Sequence, residues 1–479
     1  MIRHGESEGN KRKIIQGPEV DYVLTEAGID YIKKMVKENL IILSQCDRII
    51  SSPLKRTLQT SKVLQDETKL PIFTNSLLTE FNPGILGGKT HNECKENYPE
   101  YYKIWCDRKD LDGIPEAENG KQLQARVISF LINYADKEAY NDIIVSHAGF
   151  LRCLINTVKG VDRNTPVEIY NGVIHIFENP LDNLCIEKKL RAMTSKVYIV
   201  STYNGKYVLK RKARPISERD IEEKRILDEL SNKIHSLPII IGLFNDEDGS
   251  SKVMEYINGK HIYGRLTMQQ EIAVLKSFII VRNNLIKVLP GSYEKVDLIR
   301  DIEHMKSNCK REYTRKYAQK ILTDHKNINK LAVSEYSLCH NDLNRDNILF
   351  DQDDEGNSTV HFIDWEGIEL CPKVYQLATF LTSSFLIEGY KTEEVMKFAK
   401  MVEPDIDENF LSFLMQIRVF KGLYFFAEFQ NSFSQSNIEV SNEVLNKYYC
   451  AAEGLSKYRE VNNFDMDNSR NNSMNFERS

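Results

Sequence analysis

The nine cysteines of this 479-residue chain never come as a C-x2-C pair. That excludes the usual ligand spacing of zinc ribbons and the redox pair of thioredoxin-like sites. Scattered singly and odd in number, they fit reduced thiols in a cytoplasmic protein. Basic excess is lacking too: 64 Lys and Arg stand against 69 Asp and Glu, a formal charge of -5. Without a surplus to neutralise a phosphate backbone, no nucleic-acid partner is expected. The short run Lys11-Arg12-Lys13 reads as a solvated face. No apolar run approaches the ~18 residues of a membrane span, and the first residues lack a signal-peptide core. No membrane span is expected, and no glycine-rich phosphate loop is visible.

What is present is apolar content of 41%, spread over a length greater than one core usually serves, so two or three domains are expected. The most informative stretch is Cys339 to Glu366, which reads CHNDLNRDNILFD, a polar turn, then VHFIDWE. His340, Asp342 and Asn347 stand at H-x-D-x4-N on a loop that enters the apolar strand Ile348 to Phe350. A second apolar strand, Val360 to Ile363, delivers Asp364. Moving a phosphoryl group from a nucleotide needs hard oxygen ligands for magnesium, which keeps near-octahedral oxygen coordination and bridges phosphates. Asn347, through its amide oxygen, and Asp364 are the candidate metal ligands. Asp342 is the candidate base for an acceptor hydroxyl, and His340 the brace of the loop. A polar hairpin whose Asx residues only make turns is the alternative for the first three, and Asp364 argues against it. HNDLNRDNIL followed by FIDWE resembles the choline kinase and aminoglycoside phosphotransferase families, which share the protein-kinase-like fold. That resemblance implies ATP and Mg2+ as cofactors and leaves the acceptor open.

Toward the N-terminus, strand-loop-helix units recur with polar residues at the strand ends, which argues for an α/β layer fold. Arg3-His4 follows Met1-Ile2, and Ile29, Ile32, Val36, Leu40 and Leu43 mark one buried helix face. The strand Arg48 to Ile50 leads into Ser52-Pro53, an expected N-cap and first helical position that puts Arg56 in the first turn, beside exposed amides suited to an anion. Ile143 to Ser146 is a strand ending in His147. Arg3, His4, Arg56 and His147 are thus expected at one sheet edge. There a neutral imidazole can act as nucleophile on phosphorus, flanked by arginines that clamp phosphate and disfavour the imidazolium. Glu80 is the candidate acid, kept protonated by nearby phosphate charge.

RHGES, SSPLKR, the Glu80 segment and SHAGFLR occur in the order seen in the histidine phosphatase family, which includes the cofactor-dependent phosphoglycerate mutases. The resemblance spans residues 1 to 178. It implies a phosphohistidine on His4, with Arg3, Arg56 and His147 holding the phosphate, Asn10 assisting and Glu80 as acid. Two departures stand out: only Met1-Ile2 precede the Arg-His pair, and Lys121-Gln122 stand where the family usually has Glu-Ser.

Glu187 to Met193 is charged and reads as a connector. Val197 to Val200 and Tyr207 to Lys210 form a hairpin, with Lys210 at a strand end over nucleotide phosphates. Glu223, beside Glu222, is the candidate ion-pair partner of Lys210. Lys252 to Gly259 runs from a strand into a bend, and the kinase resemblance makes it the hinge whose backbone, at Glu255 and Ile257, grips adenine. Thr194-Ser195-Lys196 is the nearest match to a phosphate turn. Cys371-Pro372 and Gln376 replace carboxylates of that family, with reduced rigidity of the catalytic loop expected. Trp365, Tyr375, Phe380, Tyr424, Phe425, Phe426 and Phe429 are expected in the core, the alternative being cation-π capture of an ammonium group with Glu366 adding charge.

The expected architecture is therefore a three-layer α/β, phosphoglycerate mutase-like domain with a mixed sheet over 1–186, and an α+β bilobal protein kinase-like domain over 187–460. The latter has a small lobe at 190–257 and a large lobe at 258–460, and a disordered tail follows from 461 to 479. The expected function is bifunctional: a phosphatase acting on a small-molecule phosphomonoester, and a kinase acting on a small-molecule alcohol. Choline or ethanolamine comes first among acceptors, then a sugar or sugar amine, then an aminoglycoside. A kinase with a phosphate-sensing phosphatase half, and a switch acting on one metabolite, are the alternatives.

Overall fold

The computed structural model describes residues 1–107, 112–135, 141–179, 181–191, 195–352, 358–428 and 443–458. The tail expected from 461 to 479, Phe429 and Thr194 lie outside the described residues. Two compact units form: Met1–Ser217 with Ile239–Tyr256, and Glu218–Pro238 with Ile257–Ser479. Compactness thus assigns the sheet of the expected small lobe to the first unit and its helix, Glu218–Ser231, to the second.

The first unit opens with a parallel sheet in the order Ile2–Arg3, Asp142–Ser146, Arg48–Ser51, Ile72–Thr74. Its antiparallel component among the described residues is the bridge Ile2 to Ile174. Alternate residues of the central strand face opposite layers. Ile143 and Val145 pack with Ile32, Val36 and Leu64 of the helices Glu26–Glu38 and Lys55–Thr68. Ile144 packs with Phe130 and Phe150 of the helices Gly120–Ala135 and Ala148–Lys159. Burial on both faces explains why these strands read as unbroken apolar runs.

One helix start differs from expectation. The helix after Ser52-Pro53 begins at Lys55, with Leu54 at the cap and no capping side chain of its own. Asp21, far off in sequence, supplies the acceptor: its Oδ2 takes the Lys55 N–H at 2.8 Å. Local cap chemistry was overridden by a carboxylate from another segment, and Arg56 remains in the first turn.

A second sheet in this unit is antiparallel, ordered Cys185–Arg191, Lys196–Thr202, Gly205–Lys212, Gly249–Glu255, Ile240–Asp246. The expected connector at 187–193 is therefore mostly an edge strand. Its charges suit that place, because lysines on an edge discourage further pairing. One face of the sheet, carrying Tyr198, Val200, Tyr207, Leu209 and Val253, joins the same core as Leu77, Phe130 and Phe150. The sheet has no core of its own on that side. Val197, Lys210 and Lys252 pair in register and share the opposite face. Lys210 lies two residues short of its strand's end.

The second unit is mainly helical, with two antiparallel strand pairs, Tyr336–His340 with Ile368–Pro372 and Ile348–Gln352 with Ser358–Phe362. Its core includes Phe278 stacked on Phe380 at 3.9 Å, with Phe362 and Phe385 edge-on to Phe380. Trp365, Tyr375 and Phe380 are buried, so packing occupies them. Among the described residues, the one helix long and apolar enough to cross a membrane, Glu408–Ala427, has 72% of its apolar window buried inside the protein. Its two internal cations, Arg418 and Lys421, turn to Ser383 and Asp301.

Candidate active sites

His4 follows the short strand Ile2–Arg3 and is buried. Its N–H donates to the Ser146 carbonyl at 3.0 Å, and Asn171 Nδ2 donates to the His4 carbonyl at 2.7 Å. The ring Nδ1 lies 2.7 Å from the Gly5 carbonyl. A carbonyl can only accept, so Nδ1 carries the proton and Nε2 keeps its lone pair. His147, at the start of the helix Ala148–Lys159, has its ring centroid 5.2 Å from that of His4. Ser52 Oγ lies 2.8 Å from His147 Nε2.

Arg3 donates from one terminal nitrogen to the Ile169 carbonyl at 2.7 Å. Arg56 is fixed by Asp21 Oδ1 at 3.1 Å and by the carbonyls of Val20 and Gly17. In both guanidinium groups the Nε is buried without a hydrogen-bond partner, and so is Nδ1 of His147. Buried donors left unpaired are rare and call for an acceptor. The two guanidinium donors around one imidazole suit an anion with several oxygens, and His147 Nδ1 adds a third in the tautomer whose Nε2 accepts from Ser52 Oγ.

Glu80 accepts three backbone N–H groups on Oε1, from Phe81 at 2.9 Å, Gly149 at 3.0 Å and Phe150 at 3.3 Å. Oε2 makes no hydrogen bond to the described residues. Arg126, missed by the sequence reading, holds this segment. One of its terminal nitrogens donates to the carbonyls of Leu77 at 2.8 Å and Thr79 at 2.7 Å, while Glu118 takes its other N–H groups. Glu118 lies three residues before Lys121, and Asn119 caps the helix through the Gln122 N–H at 2.9 Å. Asn10 is engaged elsewhere: its Oδ1 accepts from Ser7 N and Ser7 Oγ in a capping box.

Burial, more than the neighbouring arginines, holds both His4 and His147 well below the usual imidazole range. Arg3 and Arg56 add to the effect at His4. An unfolded imidazole titrates near ~6.5, so below that pH the unfolded chain binds protons that the folded one refuses. Stability therefore rises with pH across this window and falls as pH drops through ~6.5, by about 1.4 kcal/mol per pH unit for each imidazole. The urea midpoint should decline from pH 7 to pH 5, and a His147→Asn variant should decline less steeply. Equal slopes in the two proteins would remove His147 from this account.

In the second unit, Asp342 is half-exposed, and its Oδ1 accepts from Asn344 Nδ2 at 3.1 Å. Asn347 turns its amide nitrogen to the Asp342 carbonyl at 2.7 Å and to Oδ2 at 3.1 Å, so its amide oxygen points the other way. Ile363 N donates to the Asn347 carbonyl at 2.9 Å, which ties the loop to the residue before Asp364. Asp364 has φ 61°, the left-handed region that a non-glycine residue occupies at a cost. His340 accepts the Asp342 N–H on Nδ1 at 3.3 Å and donates from Nε2 to the Ile363 carbonyl at 3.2 Å, bracing both segments. An amide oxygen freed by its nitrogen's bonds, together with a strained carboxylate, fits a hard cation that takes few protein ligands.

Arg418 escaped the sequence reading. It lies 3.6 Å from Asp342 Oδ1 and donates to Ser383 Oγ at 3.0 Å. An arginine inside a largely apolar helix was the available signal. Arg345 braces the loop from below through the Ser384 carbonyl at 2.7 Å. Lys210 and Glu255 lie in the first unit and Glu223 and Ile257 in the second. Glu223 is buried, and Glu255 accepts from Lys121 Nζ at 2.9 Å.

Comparison with known proteins finds the family "Histidine phosphatase superfamily (branch 1)" over residues 1–179 and "Phosphotransferase enzyme family" over residues 190–392. A Yersinia pestis protein named "Probable phosphoglycerate mutase GpmB" is 31% identical over 165 residues, covering 34% of this chain and 74% of that one. A Hydrogenobacter thermophilus protein whose name assigns it as a phosphoserine phosphatase is 26% identical over 161 residues, covering 34% of this chain and 78% of that one. The solved choline kinase of Cryptosporidium parvum is 14% identical, with TM-score 0.42, covering 58% of this chain and 91% of that one.

Proposed function

Because the chain belongs to the histidine phosphatase superfamily (branch 1) through residues 1–179 and is matched over 190–392 by the phosphotransferase enzyme family, we propose that it is a bifunctional enzyme. One half hydrolyses a small-molecule phosphomonoester through a phosphohistidine, and the other phosphorylates a small-molecule hydroxyl from ATP. The observation that carries the reading is the pair of buried, unpaired Nε–H groups on Arg3 and Arg56, with the buried, unpaired Nδ1 of His147, around a neutral His4.

In the phosphatase, His4 Nε2 attacks phosphorus and the ester P–O bond breaks, its electron pair leaving on oxygen. Glu80 gives that oxygen its proton. Water then attacks the phosphohistidine and returns a proton to Glu80 as the P–N bond breaks, releasing phosphate. Arg3, Arg56 and His147 donate to the phosphoryl oxygens, and the Asn10 amide nitrogen assists.

In the kinase, the acceptor oxygen bonds to the terminal phosphorus of ATP, the bond to the ADP oxygen breaks, and Asp342 takes the hydroxyl proton. Asn347 and Asp364 would hold Mg2+, which when bound would offset phosphate charge. Lys210 is the residue for nucleotide phosphate, with Glu223, Glu255 and Ile257 the further candidates for ATP. The acceptor is choline- or ethanolamine-like, or a sugar, within lipid head-group or surface-polymer metabolism. Opposed reactions on one compound would only consume ATP, so the two activities act on different phosphates in consecutive steps.

Phosphorus NMR of the His4→Ala protein with ATP, Mg2+ and a pool of amino alcohols and sugars tests this, since the substitution prevents erasure of the product. A new phosphomonoester resonance that disappears in the His4→Ala/Asp342→Ala double variant is expected, and that compound should resist the wild-type phosphatase. If the wild-type protein hydrolyses it, the consecutive-step assignment falls and a switch on one metabolite replaces it.

A further inference from the structure

The segment that carries Glu80 does not rest on the phosphatase layers alone. Its first turn, Ser76–Leu78, is hydrogen-bonded to the hairpin formed by the strands Ile240–Asp246 and Gly249–Glu255, which belongs to the phosphotransferase match. Ser76 N donates to Glu247 Oε1 at 3.0 Å, and Ser76 Oγ donates to the Asn245 carbonyl at 2.9 Å. We propose that this hairpin is a working part of the phosphatase site, with Glu247 as a positioning residue for the general acid Glu80. The inference rests on the reading of Glu80 as that acid.

The hairpin turn is built to hold still. Gly249 has φ 145°, and a side chain there would put its Cβ 2.1 Å from the Lys212 carbonyl. Asp246, ahead of the turn, is clamped by both terminal nitrogens of Arg211 at 2.6 and 2.9 Å, receives Asn133 Nδ2 from the helix Gly120–Ala135, and accepts the Asp248 N–H at 2.8 Å. Glu247 is therefore presented from a turn fixed to the same helix whose Arg126 grips Leu77 and Thr79.

The path from Ser76 to Glu80 is short and stiff. Thr79 Oγ1 donates to the Ser76 carbonyl at 3.0 Å, Ser146 Oγ donates to the Leu78 carbonyl at 2.7 Å, and Arg126 holds the Thr79 carbonyl one residue before the acid. A displacement of Ser76 reaches Glu80 with little slack to absorb it. An acid out of place by even an ångström loses rate by up to about 100-fold. The loss appears only where the leaving group needs a proton.

The test uses a series of aryl phosphates from p-nitrophenyl to p-methylphenyl phosphate, with kcat/KM plotted against leaving-group basicity for the full-length protein. Wild type should show a shallow dependence. Glu247→Ala should show a steeper one, with roughly a tenfold fall at the basic end and little change for p-nitrophenyl phosphate. Glu247→Gln keeps an acceptor oxygen for Ser76 N and should restore the shallow line. A uniform loss across the series, no loss at all, or a Gln variant as steep as Ala overturns the proposal. Glu80→Gln serves as reference: if it is steep while Glu247→Ala is not, only the hairpin's role fails, whereas a shallow Glu80→Gln line removes Glu80 as the acid and the proposal with it.

Discussion

Replacing Asp342 by asparagine is expected to lower the kinase kcat by about 10^3, within the range that a positioned general base supplies. The substitution keeps the side chain's shape but not its chemistry. Oδ1 sits by Arg418 and Asn344, and Oδ2 receives Asn347 Nδ2. An asparagine can still accept at one of these places, but it cannot take a proton, and the NH2 it presents to Asn347 Nδ2 or to Arg418 meets another donor. With Asp342 as the proposed base and not the nucleotide's anchor, KM for ATP should change only a few-fold. Steady-state ATP turnover with the identified acceptor measures both. A fall in kcat smaller than tenfold would take the base role away from Asp342. The phosphatase rate of the same sample, carried by the other unit, reports that the protein is folded.

The second large effect is at His4. His4→Ala should abolish the acid-labile phosphoenzyme and lower phosphomonoester hydrolysis by on the order of 10^4 or more, since no covalent intermediate can form. Kinase turnover should persist. His147→Ala should be milder, because it removes one donor to the phosphate and leaves the nucleophile. Rapid-quench labelling with a phosphomonoester, followed by alkaline and acid stability of the bound phosphate, measures the intermediate. A phosphoenzyme of normal amplitude in His4→Ala would place the nucleophile elsewhere. The unpaired Nε groups of Arg3 and Arg56 suit the negative charge of a phosphomonoester, on guanidinium groups already fixed by Ile169, Asp21 and Gly17.

Much of the placement of the candidate residues was legible because they sit where local rules put them. His4 and His147 follow strands, and Asn347 and Asp364 bracket a hairpin whose apolar strands are plain in the chain. Their supports were not legible. Asp21 caps the helix Lys55–Thr68, Asn171 holds the His4 carbonyl, Arg126 grips the Glu80 segment and Arg418 flanks Asp342. Each acts over a separation that no window of periodicity can span. The edge strand Cys185–Arg191 was read as a connector because its exposed charges mask its pairing, and pairing is a property of two segments at once.

The sequence by itself determined most of the elements and where the candidate residues stand on them, because hydrogen-bond ladders, turns and apolar spacing are settled over a few neighbours. Only the tertiary structure decided three further things. It fixed the backbone of His4 by bringing the Asn171 amide onto its carbonyl, and it kept that ring neutral mainly through burial by distant elements. It also laid one face of the five-stranded sheet on the core that contains Phe130 and Phe150, so that two family matches share one hydrophobic interior. Desolvation and core packing are sums over segments remote in the chain, and they exist only once those segments have met.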